Sequence, residues 1–311
     1  MYHGIMNVYK EPGYTSHDVV ARLRGILKQK KVGHTGTLDP AAEGVLPVCL
    51  GMGTRLCDML TDRTKTYEAV LLLGMTTDTQ DTTGQVLDDR HQAAMGLDEG
   101  AVTEAVLGFK GDYDQIPPMY SALKVDGKKL YELARAGKEV ERQARRVQIL
   151  EIRVDRVELP RVWMTVTCSK GTYIRTLCHD IGGKLGCGGC MEHLTRTRVD
   201  RFDIKDSLRL DEIETIRDEG RLDTCILPVE TALEGYAVLK ALPEADAFLY
   251  NGNPCFKGQL DAGDGCLDGL EDGLRFRMYD SKGHFVGVYE YQDGKHWWKP
   301  WKMFLAAPER T

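Results

Sequence analysis

The feature that most constrains the fold is a change in the spacing of apolar side chains. Two segments have the alternating spacing of β-strands, and the segment that follows them has the spacing of an α-helix. Residues 145–159, RRVQILEIRVDRVEL, and residues 161–171, RVWMTVTCSKG, alternate apolar and polar side chains, which is the pattern of half-buried strands. Residues 172–186, TYIRTLCHDIGGKLG, change to helical spacing, with Arg175 in the first turn. The sequence therefore predicts a fold that combines strands and helices.

Earlier segments repeat this mixture. Residues 15–31 predict a helix with its apolar side chains on one face. Residues 51–74 predict a short helix, a turn and then a buried strand over residues 67–73. Residues 76–100 are polar and contain several turn formers, so we interpret them as mostly loop, a connection between elements.

The length and the C-terminal pattern indicate two domains. A chain of 311 residues can bury one large core or two smaller ones. From about Gly235 onward, short strand-like pieces are separated by Gly and Asp turns. We therefore predict a larger domain over residues 1–232 and a small, mostly β domain over residues 233–311.

The charged residues are unevenly distributed. The net charge of −6 taken alone argues against a nucleic-acid partner. Residues 124–146, however, contain eight basic and four acidic side chains, whereas acids concentrate at residues 261–272. Because binding to a polyanion depends on the local patch that contacts phosphates, the basic segment can still grip a nucleic acid. The alternative is a solvated helical face.

The N-terminal residues and the cysteines indicate a reducing compartment. Residues 1–15 lack the features of a signal peptide, and no apolar run has membrane-spanning length, so we expect a cytoplasmic protein without membrane association. Nine cysteines without framework spacing indicate reduced thiols. Cys187 and Cys190 form a CxxC pair near His179 and His193, but a second ligand pair is missing. We predict a glycine-rich turn there and no metal site.

A polar, glycine-punctuated segment, KVGHTGTLDPAAEGVL at residues 31–46, places Asp39 between Leu38 and Pro40. Glycines let such a loop approach a substrate closely, and Pro40 stiffens the chain after the acid. On its own, Leu-Asp-Pro is more often a turn or a helix cap than a catalytic site.

Five separated segments resemble one enzyme family in their order and approximate spacing. They are YKEPGYTS, KVGHTGTLDPAAEGVLPVCLG, KTY, IPPMYSALKVDGKKLYELARAG and KGTYIRTLCHDIG. Together they resemble the bacterial TruB family of tRNA pseudouridine synthases, over roughly residues 3–230. The remainder resembles, less distinctly, the small C-terminal domain of these enzymes, which is related to the PUA RNA-binding fold. Glu43 stands where the family often has Thr, and YKEPG replaces the commoner Asp-Lys-Pro-x-Gly.

The resemblance implies an α/β (α+β) pseudouridine synthase core with a mixed, largely antiparallel sheet and an active site in a cleft across it. It implies isomerisation of the uridine at position 55, in the T loop of tRNA, to pseudouridine. Uracil is detached from C1′ and rejoined through C5, so we expect no cofactor. The reaction needs a carboxylate as nucleophile or base, and Asp39 matches the family's catalytic aspartate. Attack at C1′, addition to the ring and removal of the C2′ proton all remain open.

The resemblance also assigns roles around the aspartate. Arg175 matches an arginine that pairs with it and keeps it ionised and oriented. Tyr67 matches a tyrosine that stacks on uracil or transfers a proton. Since a base must leave its stack before it reacts, His34 is expected to fill the vacated space. Tyr173 and Leu194 match residues that line the uracil pocket.

Residues 115–140 mix tyrosines with basic side chains and resemble the family's insertion that closes over the T loop. Recognition of this kind uses stacking, phosphate contacts and shape. The expected partner is the T arm of tRNA, with no obligatory protein partner, and we expect a monomer. The residues expected to contact RNA are Lys31, Tyr120, Lys124, Lys128, Lys129 and Arg135.

Three other interpretations stay open on the sequence. An RNA-binding module without catalysis would need only the basic segment and the C-terminal domain. A nucleotide-binding enzyme would use GHTGTLD as a phosphate loop, although this segment lacks the Lys-Ser/Thr ending of a P-loop and does not fit GxGxxG. A guide-RNA-dependent relative inside a multiprotein particle would share the catalytic motifs.

Overall fold

The computed structural model describes residues 1–125, 127–261, 267 and 269–305. Strands and helices are mixed along the chain. The strands are β1 (Gly4–Lys10), β2 (Val32–His34), β3 (Glu43–Leu50), β4 (Lys65–Leu73), β5 (Met75–Thr77), β6 (Val86–Asp89), β7 (Gly111–Gln115), β8 (Lys124–Val125), β9 (Lys128–Lys129), β10 (Arg145–Glu158), β11 (Arg161–Cys168), β12 (Gly189–Val199), β13 (Phe202–Asp203), β14 (Ala237–Ala241), β15 (Cys255–Phe256), β16 (Leu260–Asp261), β17 (Arg275–Tyr279), β18 (Phe285–Gln292) and β19 (Trp297–Met303). The helices are α1 (Ser16–Leu27), α2 (Cys57–Thr61), α3 (His91–Met95), α4 (Glu99–Leu107), α5 (Leu130–Arg135), α6 (Ile174–Lys184), α7 (Leu210–Asp218) and α8 (Asp246–Tyr250).

The central element is a 9-stranded sheet. Strands β1, β3, β12, β4, β11, β10 and β7 lie side by side in that order, while β2 pairs with β3 and β13 pairs with β12. All of these pairs are antiparallel except β3 with β12, which is parallel. The prediction of a mixed, largely antiparallel sheet is therefore confirmed.

Helix α1 covers one end of this sheet. A capping box closes its N-terminus, because the Thr15 side chain accepts from the Asp18 backbone and the Asp18 side chain accepts from the Thr15 backbone. Leu23 of α1 is buried in one apolar cluster with Val48 of β3. The segment between α1 and β3, which contains β2 and then Asp39, therefore starts and ends at packed elements.

Helix α6 packs against the middle of the sheet, where Leu177 shares an apolar cluster with Leu71 of β4. The approach is close enough to require glycine at position 182, since a Cβ there would lie 2.2 Å from the backbone nitrogen of Gly189. This packing fixes the first turn of α6, in which Arg175 lies as predicted.

A second sheet of six strands forms the C-terminal part, in the order β15, β19, β18, β17, β14 and β16. The prediction that this part is small and mostly β is confirmed. Its core is not isolated, because Ile5 and Cys49 of the first sheet share an apolar cluster with Val288 and Phe304. The predicted domain boundary falls within the 3₁₀ helix Val229–Leu233, and the division into two domains stays a prediction.

The interpretation of residues 76–100 as mostly loop holds only in part. Strands β5 and β6 form a hairpin, and α3 and the start of α4 follow it. The two apolar side chains of β6, Val86 and Leu87, are exposed, so apolar periodicity could not reveal this strand. The β5–β6 loop, residues 78–85, also takes part in the candidate site.

Within the described ranges, the helices are too short or too polar to cross a membrane. The acidic stretch at residues 261–272 and the end of the predicted second domain fall partly outside the described residues, at positions 262–266, 268 and 306–311.

Candidate active site

Asp39 and Arg175 form a bidentate ion pair although they are 136 positions apart in the chain. Nε of Arg175 lies 2.9 Å from Oδ2 of Asp39, and Nη2 donates to Oδ1 at 3.2 Å. The Arg175 side chain is 5% exposed, whereas that of Asp39 is 37% exposed. The arginine is therefore the fixed partner, and it orients a carboxylate that stays open to a substrate.

Backbone carbonyls from two other segments hold the Arg175 guanidinium. Its Nη1 donates to the Thr79 carbonyl and its Nη2 to the Tyr120 carbonyl, both at 2.9 Å. The carboxylate of Asp81 lies 3.7 Å from Nη1 and accepts hydrogen bonds from the hydroxyls of Thr79 and Thr83, at 2.8 and 2.5 Å. The β5–β6 loop is thus folded around the arginine, which cannot turn away without breaking these contacts.

A buried apolar cluster includes the residue next to Asp39 in the chain. Tyr67 of β4 and Leu194 of β12 are buried in one cluster with Leu38, the residue before Asp39. Burial raises the pKa of Tyr67, and the positive charge of Arg196 offsets part of that rise. The phenol is therefore protonated at neutral pH.

A buried lysine supports the aspartate loop, which we define as residues 35–42. Nζ of Lys10 donates to the carbonyls of Ala42 and Pro40, at 2.5 and 3.2 Å. Burial lowers the pKa of Lys10 to about 8, although nearby carboxylates partly oppose that shift. The sequence analysis did not single out this residue.

His34 lies at the end of β2, just before the aspartate loop. Its ring packs edge-on against His17, with the centroids 5.6 Å apart, and its Nδ1 accepts from the Gly36 N–H at 3.3 Å. Burial, His17 and Arg196 lower the pKa of His34 to about 4, so the ring is neutral at pH 7. A neutral ring can enter a stack of bases without the cost of desolvating a charge.

Tyr173 immediately precedes α6 and is held by Gln115 of the edge strand β7. The Gln115 side chain donates to the Tyr173 carbonyl at 3.0 Å and accepts from its N–H at 2.8 Å. Gln115 is only 1% exposed, and burial raises the pKa of Tyr173. The role of Gln115 was not predicted from the sequence.

The predicted RNA-contacting side chains lie mostly at the surface, around the β8–β9 hairpin and α5. Lys129 and Arg135 approach the ring of Tyr131, with 5.3 and 5.4 Å to its centroid. Tyr120 is the member of the set that contacts Arg175, through its carbonyl. The exposed members are Lys31, Lys124, Lys128 and Arg135.

The CxxC pair lies where β12 begins. Cys187 and Cys190 are buried, and the ring of His193 lies 3.1 Å from a carboxylate oxygen of Glu43. In the part of the chain that the structure describes, His, Cys, Asp and Glu side chains form no group of three or more that could hold a metal ion.

Two family models match consecutive parts of the chain. The N-terminal domain of the TruB family pseudouridylate synthases matches residues 24–174, and the tRNA pseudouridylate synthase B C-terminal domain matches residues 175–234. The first match contains Asp39 and Tyr67, and the second begins at Arg175. The chain therefore belongs to the TruB family of pseudouridylate synthases, and the resemblance noted in the sequence is confirmed.

Curated relatives match over most of their length. The tRNA pseudouridine synthase B of Lachnoclostridium phytofermentans is 51% identical over 97% of this chain and 100% of the relative. The tRNA pseudouridine synthase B of Clostridium acetobutylicum is 40% identical over 92% of this chain and 94% of the relative.

Solved structures share the fold at lower identity. The crystal structure of a Cbf5-Nop10-Gar1 complex matches 97% of this chain and 85% of the other, with a TM-score of 0.70 and 27% identity. The structure of an H/ACA RNP bound to a substrate RNA containing 2′-deoxyuridine matches 98% of this chain and 86% of the other, with a TM-score of 0.71 and 24% identity.

Proposed function

We propose that this chain isomerises the uridine at position 55, in the T loop of tRNA, to pseudouridine. The observation that carries the proposal is the bidentate pair of Asp39 and Arg175 beside the apolar cluster of Tyr67 and Leu194. The name tRNA pseudouridine synthase B, carried by relatives at 40–51% identity, supports tRNA as the substrate.

Asp39 supplies the nucleophile or base. The bond between C1′ and uracil breaks, the base turns, and C5 forms the new bond to C1′ while its hydrogen leaves as a proton. N1 then gains a proton, so the atoms and electrons of the uridine are conserved and no cofactor is needed. Arg175 keeps the carboxylate oriented before the substrate arrives, which lowers the cost of reorganisation during the reaction.

Tyr67 forms one wall of the uracil pocket. Its ring stacks on the base while it turns, and its protonated hydroxyl is able to serve in a proton transfer. Leu194 and Tyr173 complete the walls. An apolar pocket of this kind holds a detached uracil without offering it competing hydrogen bonds in the wrong orientation.

The target base must be flipped out of the T arm before it reaches Asp39. His34, neutral and adjacent to the aspartate loop, fills the space that the base leaves. Residues 115–140, which contain tyrosines and basic side chains, bind the RNA backbone. The contact between the Tyr120 carbonyl and Arg175 joins this segment to the catalytic pair.

The proposal includes a stand-alone enzyme, active as a monomer in the cytoplasm without a guide RNA or protein partner. The fold is shared with Cbf5 in a complex with Nop10 and Gar1, and with an H/ACA RNP. The curated relatives with higher identity are instead named for tRNA. This contrast favours bare tRNA over a guided RNA as the substrate.

The test uses an unmodified tRNA transcript that carries tritium at C5 of its uridines, with no cofactor added. Tritium release measures the reaction, and carbodiimide treatment followed by primer extension locates the product. Wild type should release tritium and give one stop, in the T loop. Asp39→Asn should bind the transcript within about threefold of wild type and release no tritium. Glu43→Gln is the matched control, because this nearby acid contacts His193 rather than Arg175.

Each failure has a distinct meaning. Binding without tritium release by wild type would indicate a binding module, or an enzyme that needs a guide. A stop elsewhere in the transcript would contradict the T-loop assignment. Product formation by Asp39→Asn would contradict the role of the aspartate.

A further inference from the structure

Arg196 of β12 is a buried basic side chain that the proposed reaction leaves unexplained. It is 1% exposed and is among the largest fully buried side chains of the described residues. Across the antiparallel pairing with β4 its neighbour is Tyr67, and across the parallel pairing with β3 its neighbour is Gly44. Arg196 therefore lies between the strand that carries the pocket tyrosine and the strand that follows the aspartate loop.

The guanidinium of Arg196 is satisfied by backbone carbonyls. Nε donates to Val45 at 2.7 Å, Nη2 to Gly36 at 3.2 Å and Nη1 to Thr37 at 3.5 Å. In the described part of the chain, no carboxylate lies within 4.0 Å of it as an ion-pair partner. Burying a charge without a counter-charge costs free energy. We therefore expect this arginine to have a role that a smaller apolar side chain could not fill.

Two of the three carbonyls belong to the aspartate loop. Gly36 and Thr37 lie three and two residues before Asp39, whereas Arg196 itself is fixed in the central sheet. The approach of β3 to β12 is also tight, since a Cβ at Gly44 would lie 2.3 Å from the Arg196 carbonyl. The planar fork of the arginine therefore ties the start of the aspartate loop, and strand β3 that follows the loop, to strand β12.

The charge of Arg196 also faces the pocket. Burial is the main cause of the raised pKa of Tyr67, and Arg196 is the principal group that opposes it. Arg196 further contributes to the lowered pKa values of His34 and Lys10. The same side chain thus acts on the loop geometry and on the electrostatics of the tyrosine.

We propose that Arg196 is a positioning residue, which clamps the aspartate loop to the central sheet and holds a positive charge beside Tyr67. It does not touch the substrate. This inference rests on the proposed function, because the groups that it positions are the proposed nucleophile and the pocket tyrosine.

The test compares wild type with Arg196→Lys, which keeps the charge but loses the planar fork, and with Arg196→Gln, which keeps amide donors but loses the charge. Arg198→Gln is the matched control, because Arg198 lies on the same strand and is exposed. Single-turnover tritium release with enzyme in excess gives the rate constant of the chemical step. The stoichiometry of tRNA binding gives the fraction of binding-competent molecules independently of activity. The Kd shows whether the substitution changes the affinity for tRNA.

We expect both variants to bind tRNA with a Kd within about threefold of wild type. The rate constant per binding-competent molecule should fall about 10- to 100-fold in Arg196→Lys, and it should fall further in Arg196→Gln. Equal rate constants per binding-competent molecule in wild type and Arg196→Lys would overturn the proposal, even if the variant melted at a lower temperature. If neither variant bound tRNA, Arg196 would be a folding residue and the proposal would also be overturned. Inactive wild type would instead contradict the proposed function.

Discussion

Replacement of Arg175 by lysine tests the proposed catalytic pair of Asp39 and Arg175 most directly. The arginine makes four contacts at 2.9 to 3.2 Å, two to the Asp39 carboxylate and one each to the carbonyls of Thr79 and Tyr120. A lysine has one ammonium group and no fork, so it can reach the carboxylate or the carbonyls but not both sets. Two of the four contacts are therefore lost in Arg175→Lys.

The loss of rate in Arg175→Lys can be estimated from the lost hydrogen bonds and from how far the Asp39 carboxylate is exposed to water. A hydrogen bond to a charged group contributes about 1.5–3 kcal/mol, so losing two gives an upper limit of about 3–6 kcal/mol. Since the Asp39 side chain is 37% exposed, the part due to the carboxylate is screened by water and must be reduced, which leaves about 2–4 kcal/mol. If this loss falls on the transition state, the rate constant decreases by about 30- to 1000-fold.

The assay is single-turnover release of tritium from C5-labelled tRNA, with Kd measured separately. Arg161→Lys is a suitable control, because Arg161 makes a bidentate pair with Glu192 at 2.7 and 2.9 Å on the surface, where its side chain is 46% exposed. That control should stay within about twofold of wild type. A rate constant for Arg175→Lys within threefold of wild type would refute the idea that the fork orients Asp39.

Two further predictions concern RNA binding and stability. Replacing Lys124, Lys128 and Lys129 together with Gln should weaken tRNA binding and reduce the slope of log Kd against log salt concentration by about 2–3; an unchanged slope would remove these lysines from the interface. Asp280, which is 1% exposed, accepts hydrogen bonds from the Tyr250 hydroxyl and from backbone N–H groups, and these bonds outweigh burial and lower its pKa to about 2. Because the unfolded pKa is about 3.9, this group stabilises the fold above pH 4 by about 2–3 kcal/mol, and the contribution is lost as the pH falls toward 2. Asp280→Asn should therefore lower the free energy of urea unfolding at pH 6 and flatten its decrease between pH 4 and pH 2; an unchanged pH dependence would show that Asp280 is not responsible.

The regular elements near the candidate site could be predicted because their apolar side chains repeat. Strands β10 and β11 and helix α6 lie where the change from strand period to helix period places them. The β5–β6 hairpin was missed for the opposite reason. Its structure depends on polar side chains and turn hydrogen bonds, such as those of Asp81, and these leave no apolar pattern in the sequence.

The residues that support the site were missed for a different reason. Lys10, Gln115 and Arg196 each bond to backbone carbonyls in the interior, whereas residues of these types are usually exposed. Residue type alone therefore predicted the wrong environment. Every residue has a backbone carbonyl, so the sequence does not show which carbonyls these side chains bind. The segments that they hold in place could therefore not be predicted.

The sequence by itself determined the regular elements whose apolar side chains repeat, such as β10, β11 and α6, and it placed Asp39 in a glycine-rich loop whose motifs resemble the TruB family. Local periodicity is sufficient for the regular elements, whereas the family rests on the resemblance of five separated motifs. The family resemblance predicted that Arg175 pairs with Asp39, and the tertiary structure supplies the geometry of that contact. Only the tertiary structure decided that Lys10 and Arg196 are buried around the same loop. These contacts join residues more than 90 positions apart or lie across neighbouring strands, so they depend on the register of the central sheet and on the packing of α6 against it.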